Sequence, residues 1–162
     1  MDVVAREMSM SKRTLYKVYK TKDNLINACL EAYIIRIENR FQIMKDSHPA
    51  PLTLVGEVSK AFVQALYKGE RAFWVDITDG YRHIYDAICR IWSKELERNL
   101  FTCQAERLVM PGLDVGRFTA SFLTVLSQAR IMECPQAMLD DSAYFMLRGI
   151  LTEEGLRRLA HV

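Results

Sequence analysis

The sequence predicts an all-α protein, and three observations carry the prediction. Apolar residues recur at intervals of three and four along nearly the whole chain, the spacing of a helix face rather than of a strand. Four prolines and seven glycines punctuate 162 residues, too few for the turn-rich layout of a β-protein. Half of the residues are hydrophobic and about a quarter charged, a balance that suits a packed globular core.

Taken in order, Val3, Val4 and Ala5 give a short first helix from Asp2 to Glu7 its buried face. Ser9 and Met10 turn the chain, and Ser11 is a good N-cap for a second short helix. Leu15, Val18 and Tyr19 form its inner face, whereas Lys12, Arg13, Thr14, Tyr16 and Lys17 look outward. Thr21 then caps a long helix to about Lys45, traced by Leu25, Ile26, Cys29, Leu30, Tyr33, Ile34, Ile37, Phe41 and Met44. The loop Ser47-His48-Pro49-Ala50-Pro51 closes a segment 1–45 and opens a second, 46–162.

In that larger segment Leu54, Val55, Val58, Phe62, Ala65 and Leu66 mark a helix stopped at Gly69. Glu70 to Thr78 is a short helix bearing Phe73, Trp74 and Ile77, closed by Asp79-Gly80. Ile84, Ile88, Ile91, Trp92, Leu96, Leu100 and Cys103 predict a long helix from about Tyr81 to Val109. Another opens at Asp114 or Val115 and runs through Phe118, Phe122, Val125, Leu126, Ala129 and Met132 to Cys134-Pro135. A last one covers Asp140 to Leu159.

The formal net charge is only +2, but its distribution is uneven. Up to Asn24 the bases Arg6, Lys12, Arg13, Lys17, Lys20 and Lys22 face only Asp2, Glu7 and Asp23, so a polyanion would meet this end. Two short helices joined by a tight turn, the second with Lys, Arg, Thr and Tyr outward, read as a helix-turn-helix. Such a helix enters the major groove, where Lys, Arg and Thr reach bases and phosphates. An ordinary polar helix pair would have the same spacing.

Other classes are poorly served. The cysteines Cys29, Cys89, Cys103 and Cys134 form no CxxC pair or Cys/His cluster and read as small buried apolar residues in a reducing cytoplasm. No cofactor or metal motif is present, no run approaches the roughly 18 apolar residues of a membrane span, and no signal peptide is visible. Asp76, Asp79 and His83 are the nearest approach to a catalytic set, and they lack a nucleophile or a phosphate-cradling loop; the expectation is that the chain is not an enzyme.

The stretch from Val3 to Tyr19, VVAREMSMSKRTLYKVY, followed by Lys22-Asp23-Asn24-Leu25, resembles the signature of the TetR family of bacterial transcriptional regulators. Leu147 to Gly155, LRGILTEEG, is similar to a closing-helix motif of many members. The resemblance implies a homodimer that binds a palindromic operator on double-stranded DNA, released by a small-molecule effector. Ser11 would cap the recognition helix, and Lys12, Arg13, Thr14 and Lys17 would contact bases or phosphates. Tyr16 and Lys22 would meet phosphates, and Tyr19 would pack in the family's aromatic position. Ser9 stands where the family usually has Gly.

Beyond Ala50 the resemblance implies a ligand-binding and dimerisation domain. Phe73, Trp74, Tyr81, Tyr85, Trp92 and Phe122 would line a pocket for a hydrophobic or aromatic effector. Phe118, Phe122, Leu126 and Ala129, with Tyr144, Leu147 and Leu151, would form a four-helix dimer interface, although such stripes also fill a monomer core. Two recognition helices about 34 to 36 Å apart would meet successive major-groove turns.

The family's DNA-binding domain has a complete helix ahead of this signature, and the sequence starts after it. Without that helix Val3, Val4, Leu15 and Val18 lose a wall of their core, which at about 25 cal/mol per Å² costs several kcal/mol. The expectation is therefore an N-terminally truncated, loosened module with weak DNA affinity. A dimeric interaction or ligand-binding module with little DNA binding of its own is the alternative.

Overall fold

A computed structural model of the protein describes residues 11–47 and 50–159, all helical apart from turns and one isolated bridge. The expected helix Asp2 to Glu7, the Ser9-Met10 turn, His48-Pro49 and His161 lie outside these residues. The helices are α1 (Lys12–Tyr19), α2 (Lys22–Ser47), α3 (Pro51–Lys68), α4 (Arg71–Gly80), α5 (Arg82–Ala105), α6 (Val115–Ile131), α7 (Gln136–Arg148) and α8 (Glu153–Leu159).

Two compact units divide the chain, Met1–Glu38 and Asn39–Val162, so the boundary falls inside α2 rather than at residue 45. Side chains of the last turns of α2 explain the shift. Phe41 is buried with its ring 5.1 Å from Trp92, edge to face, and Arg40 donates to the Gln64 amide oxygen at 2.8 Å. Lys45 pairs with Glu95 at 3.1 Å. A loop signal in the sequence marks where a helix stops, whereas a unit begins where side chains start to share a core.

In the first unit, the Ser11 hydroxyl accepts from the Thr14 N–H at 3.0 Å and the Thr21 hydroxyl accepts from the Asn24 N–H at 3.1 Å, each capping its helix as expected. Lys20, with φ 54°, turns the chain between the two. Val18 departs from expectation: it is 59% exposed, because no described residue covers that face of the two-turn α1. Cys29 is also exposed.

The second unit is built around α3, whose Val55, Val58, Phe62, Val63 and Leu66 are buried, against α5, α6 and α7. Gly69 ends α3 with φ −89°, so it does not serve as a left-handed cap. Its role is close approach: a Cβ there would lie 3.1 Å from the Trp74 indole nitrogen, which donates to the Leu66 carbonyl at 2.8 Å. Arg130, stacked 4.6 Å over the Tyr67 ring, donates to the Leu66 and Gly69 carbonyls and completes the cap.

Three expected helix ends are corrected. The helix from Tyr81 stops at Ala105, not Val109, and the helix from Val115 stops at Ile131, not Cys134. Both close with the same hydrogen-bond pair. Leu108 N–H donates to Cys103 and Arg107 N–H to Gln104, while Cys134 N–H donates to Ala129 and Glu133 N–H to Arg130. This is the Schellman pattern, with Arg107 (φ 58°) and Glu133 (φ 63°) in the left-handed position where glycine is usual.

The third correction is the last helix, which is two helices separated by Gly149-Ile150-Leu151-Thr152. Here the N–H groups of Gly149, Ile150 and Leu151 turn back on Phe145, Leu147 and Arg148, and the segment also pairs with the turn after α5. Val109 and Leu151 form an antiparallel bridge, Met110 N–H donates to Ile150 O, and Thr152 N–H donates to Leu108 O. The Thr152 hydroxyl donates to Arg107 O at 2.7 Å and accepts from the Gly155 N–H at 3.1 Å, which starts α8.

An apolar cavity of about 60 Å³ lies among Leu52, Val55, Gly56, Leu100, Leu147 and Leu151. A Cβ at Gly56 would meet nothing within 4 Å. Gly in mid-helix costs about 1 kcal/mol relative to Ala. Gly56→Ala is therefore expected to raise the unfolding free energy by about 1 kcal/mol in urea titration, and a loss would show that the helix is strained there.

Candidate nucleic-acid interface

Among the described residues of the first unit, α1 is the most basic helix, with Lys12, Arg13 and Lys17 and no acid. Tyr16 and Lys17 follow Arg13 at three- and four-residue steps, which sets neighbours about 5 to 6 Å apart along one side, and Lys20 stands at the C-cap just outside the helix. No acidic residue occupies the first turn of α1, and Lys17 stands in its last. Arg13, Lys17 and Lys20 are exposed and have no ion-pair partner among the described residues.

The expected site residues are placed as follows. Ser11, Arg13, Thr14, Lys17 and Lys22 are exposed, Tyr16 is 40% exposed and Tyr19 is half-buried. The Ser11 and Thr14 hydroxyls lie 2.7 Å apart and hold each other, fixing Thr14 beside the helix start. The side chains of Lys12 and Leu15 fall outside the description. Such a surface can bind phosphates by charge and present Arg13, Thr14 and Lys17 to base edges.

The aromatic residues expected around an effector are dispersed. Trp92 and Phe122 are fully buried and Trp74 and Tyr85 nearly so, while Phe73 is 46% exposed and Tyr81 half-buried. Trp92 sits edge-on between Phe41 and Phe62, and Phe122 stacks obliquely on Phe118 at 5.8 Å. Burial pushes the Tyr85 hydroxyl up to about 12, with the nearby Cys89 thiol adding to the rise and Ser127 opposing it. The apolar cavity beside Gly56 lies elsewhere, and at about 60 Å³ it is far below the roughly 300 to 1,000 Å³ of small-molecule pockets.

Of the expected dimer residues, Phe122, Leu126 and Leu151 are buried within the protomer, Phe118, Ala129 and Leu147 are half-buried, and Tyr144 is exposed. The cysteines behave unequally: Cys103 is buried, with its thiol pushed up to about 12 by that burial, Cys89 and Cys134 are half-buried, and Cys29 is exposed. Asp76, Asp79 and His83 are all exposed, and the described residues contain no group of three or more His, Cys, Asp or Glu able to hold a metal. No described helix is long and apolar enough to cross a membrane.

One cluster escaped the sequence reading. Glu95 is buried on the inner face of α5, where Arg98 donates to its two oxygens at 2.6 and 2.7 Å, Asn99 to one at 3.1 Å, and Lys45 from α2 pairs at 3.1 Å. A charge in step with Trp92 and Leu96 on an apolar stripe was the available signal. Such a carboxylate is tolerable only because its oxygens are so fully paired. No family model, curated protein or solved structure matches the chain.

Proposed function

We propose that the protein is a TetR-like transcriptional regulator that binds a palindromic DNA operator as a homodimer and is controlled by a small, hydrophobic or aromatic effector. The observation that carries the reading is the solvent-facing pair Arg13 and Lys17 on a Ser11-capped helix with no acid in its first turn, in register with the TetR-like signature. The reading assigns no catalytic step. Effector control would work through α2, whose last turns are held by Trp92, Gln64 and Glu95; a ligand that alters that hold changes operator affinity by the coupling free energy.

The test uses the full chain against a pool of random-sequence duplex DNA, with bound sequences selected and retitrated over a salt series. Arg13→Ala with Lys17→Ala is expected to weaken binding at least about tenfold and to flatten the slope of log affinity against log salt by roughly two. Unchanged affinity and slope in the double variant would remove α1 as the DNA-reading helix. No selected sequence at all from the parent protein would remove DNA binding.

A further inference from the structure

The packing of α3 is interrupted at Gly56. The helix sends Leu52, Val55, Val58 and Phe62 into the core, yet at Gly56 a Cβ would meet nothing within 4 Å. Gly in mid-helix is disfavoured relative to Ala. An Ala here would be free of clash, so the space is left by the choice of residue and not by crowding. The apolar cavity of about 60 Å³ opens at this point. Leu52, Val55, Leu100 and Leu151 are buried and make its floor, while Gly56 and Leu147 at the rim are half-buried and Tyr144 is 46% exposed. No lining residue carries a charge, and among the lining side chains Tyr144 alone has a polar atom.

Walls of this chemistry and a space of this size select the occupant. Water finds no hydrogen-bond partners on apolar walls, and such cavities take apolar guests instead. A benzene ring fills a cavity of about 150 Å³, so on the same scale about 60 Å³ has room for about two or three carbon atoms. That is too little for an aromatic ring and enough for the end of an unbranched chain. The wall made by Ile150 and Leu151 is fastened from behind, because the Met110 N–H donates to Ile150 O and the Thr152 N–H to Leu108 O. Those bonds hold the wall back from the space.

We infer that this cavity is a binding site for the unbranched end of an alkyl chain, which enters past Tyr144 and seats its last carbons against Leu52, Leu100 and Leu151. The remainder of the molecule stays at the rim. The site is separate from the aromatic set Phe73, Trp74, Tyr81, Tyr85, Trp92 and Phe122, none of which lines it. It stands independently of DNA binding by α1.

Titration of the full chain with straight-chain 1-alcohols from ethanol to hexanol, and with benzene, read from side-chain methyl NMR shifts, tests it. Saturable shifts are expected at the methyls of Leu52, Leu100 and Leu151, with affinity rising about fourfold per added carbon through 1-propanol and flattening for longer chains. Benzene is expected to give no saturable shift there. Gly56→Ala takes up part of the space and should end the rise about one carbon earlier, while Leu147→Ala enlarges it, should end the rise about three carbons later and should admit benzene. Gly56→Ala is also expected to be the more stable protein, so weaker binding by it is not a folding defect. The absence of saturable shifts with every alcohol overturns the site. A parent that binds benzene as tightly as 1-propanol, or a break point in chain length that the two variants fail to move, overturns the assigned occupant.

Discussion

Trp92→Ala is expected to lower the unfolding free energy by about 4 kcal/mol, read as a fall in the urea midpoint at unchanged slope. Trp92 is fully buried and meets Phe41 edge-on at 5.1 Å and Phe62 at 5.3 Å, so three helices close on one ring system. Truncation removes the apolar area and leaves a cavity that the aromatic neighbours cannot collapse into without leaving their own rotamers. Against a total stability of about 5 to 15 kcal/mol, that loss leaves the second unit marginal. Trp92→Phe keeps much of the contact and should lose less than half as much. A loss below about 1.5 kcal/mol for the alanine variant would mean the pocket relaxes freely, and the packing described around Phe41 would be wrong.

Gly155→Ala is the second large effect, expected at about 3 kcal/mol for the addition of a single methyl group. A Cβ on Gly155 would lie 2.2 Å from the Leu108 carbonyl oxygen and 3.1 Å from its carbonyl carbon, so backbone rather than a flexible side chain must move. That same oxygen accepts from the Thr152 N–H at 3.0 Å, and the Thr152 hydroxyl caps α8. The clash therefore undoes the hydrogen bonds that lock the turn after α5 to the start of α8. Amide hydrogen exchange is the informative measurement, since Thr152 and Gly155 should lose protection before the core of α3 does. Wild-type protection at those two amides would show that α8 is not seated on Leu108.

The all-helical class and most of the helices were legible because their apolar faces repeat at the helical period. Ser11, Thr21 and Asp114 announced their helices because a short polar side chain before an apolar stripe has a local job, namely accepting an N–H of the first turn. The missed ends had no local mark. Arg107 and Glu133 hold left-handed conformations without being glycine, so the cue that usually ends a helix was absent, and the apolar spacing continued past it. The break at Gly149 to Thr152 is a long-range event, made by Leu108, Val109 and Met110.

The candidate site shows the same division. Outward Arg13, Tyr16 and Lys17 could be assigned from helical spacing alone, because exposure on a two-turn helix follows from position. The aromatic set could not, since composition identifies large rings without saying whether they surround a space or fill it. Trp92 and Phe122 fill it. The stripes on α6 and α7 were found, but periodicity fixes a face only to within about one residue of rotation; Phe122 and Leu126 turn inward where Val125 and Phe145 turn out.

The unequal exposure of the four thiols gives the protein a practical handle. Cys29 stands in solvent on the part of α2 that belongs to the first unit, Cys103 is buried, and burial pushes the Cys89 thiol up as well. Because thiolate, not thiol, attacks an alkylating dye, reagent at neutral pH partitions toward the accessible sulfur. A fluorophore or spin probe can thus be carried on the first unit with the natural sequence intact, giving an optical or magnetic reporter there.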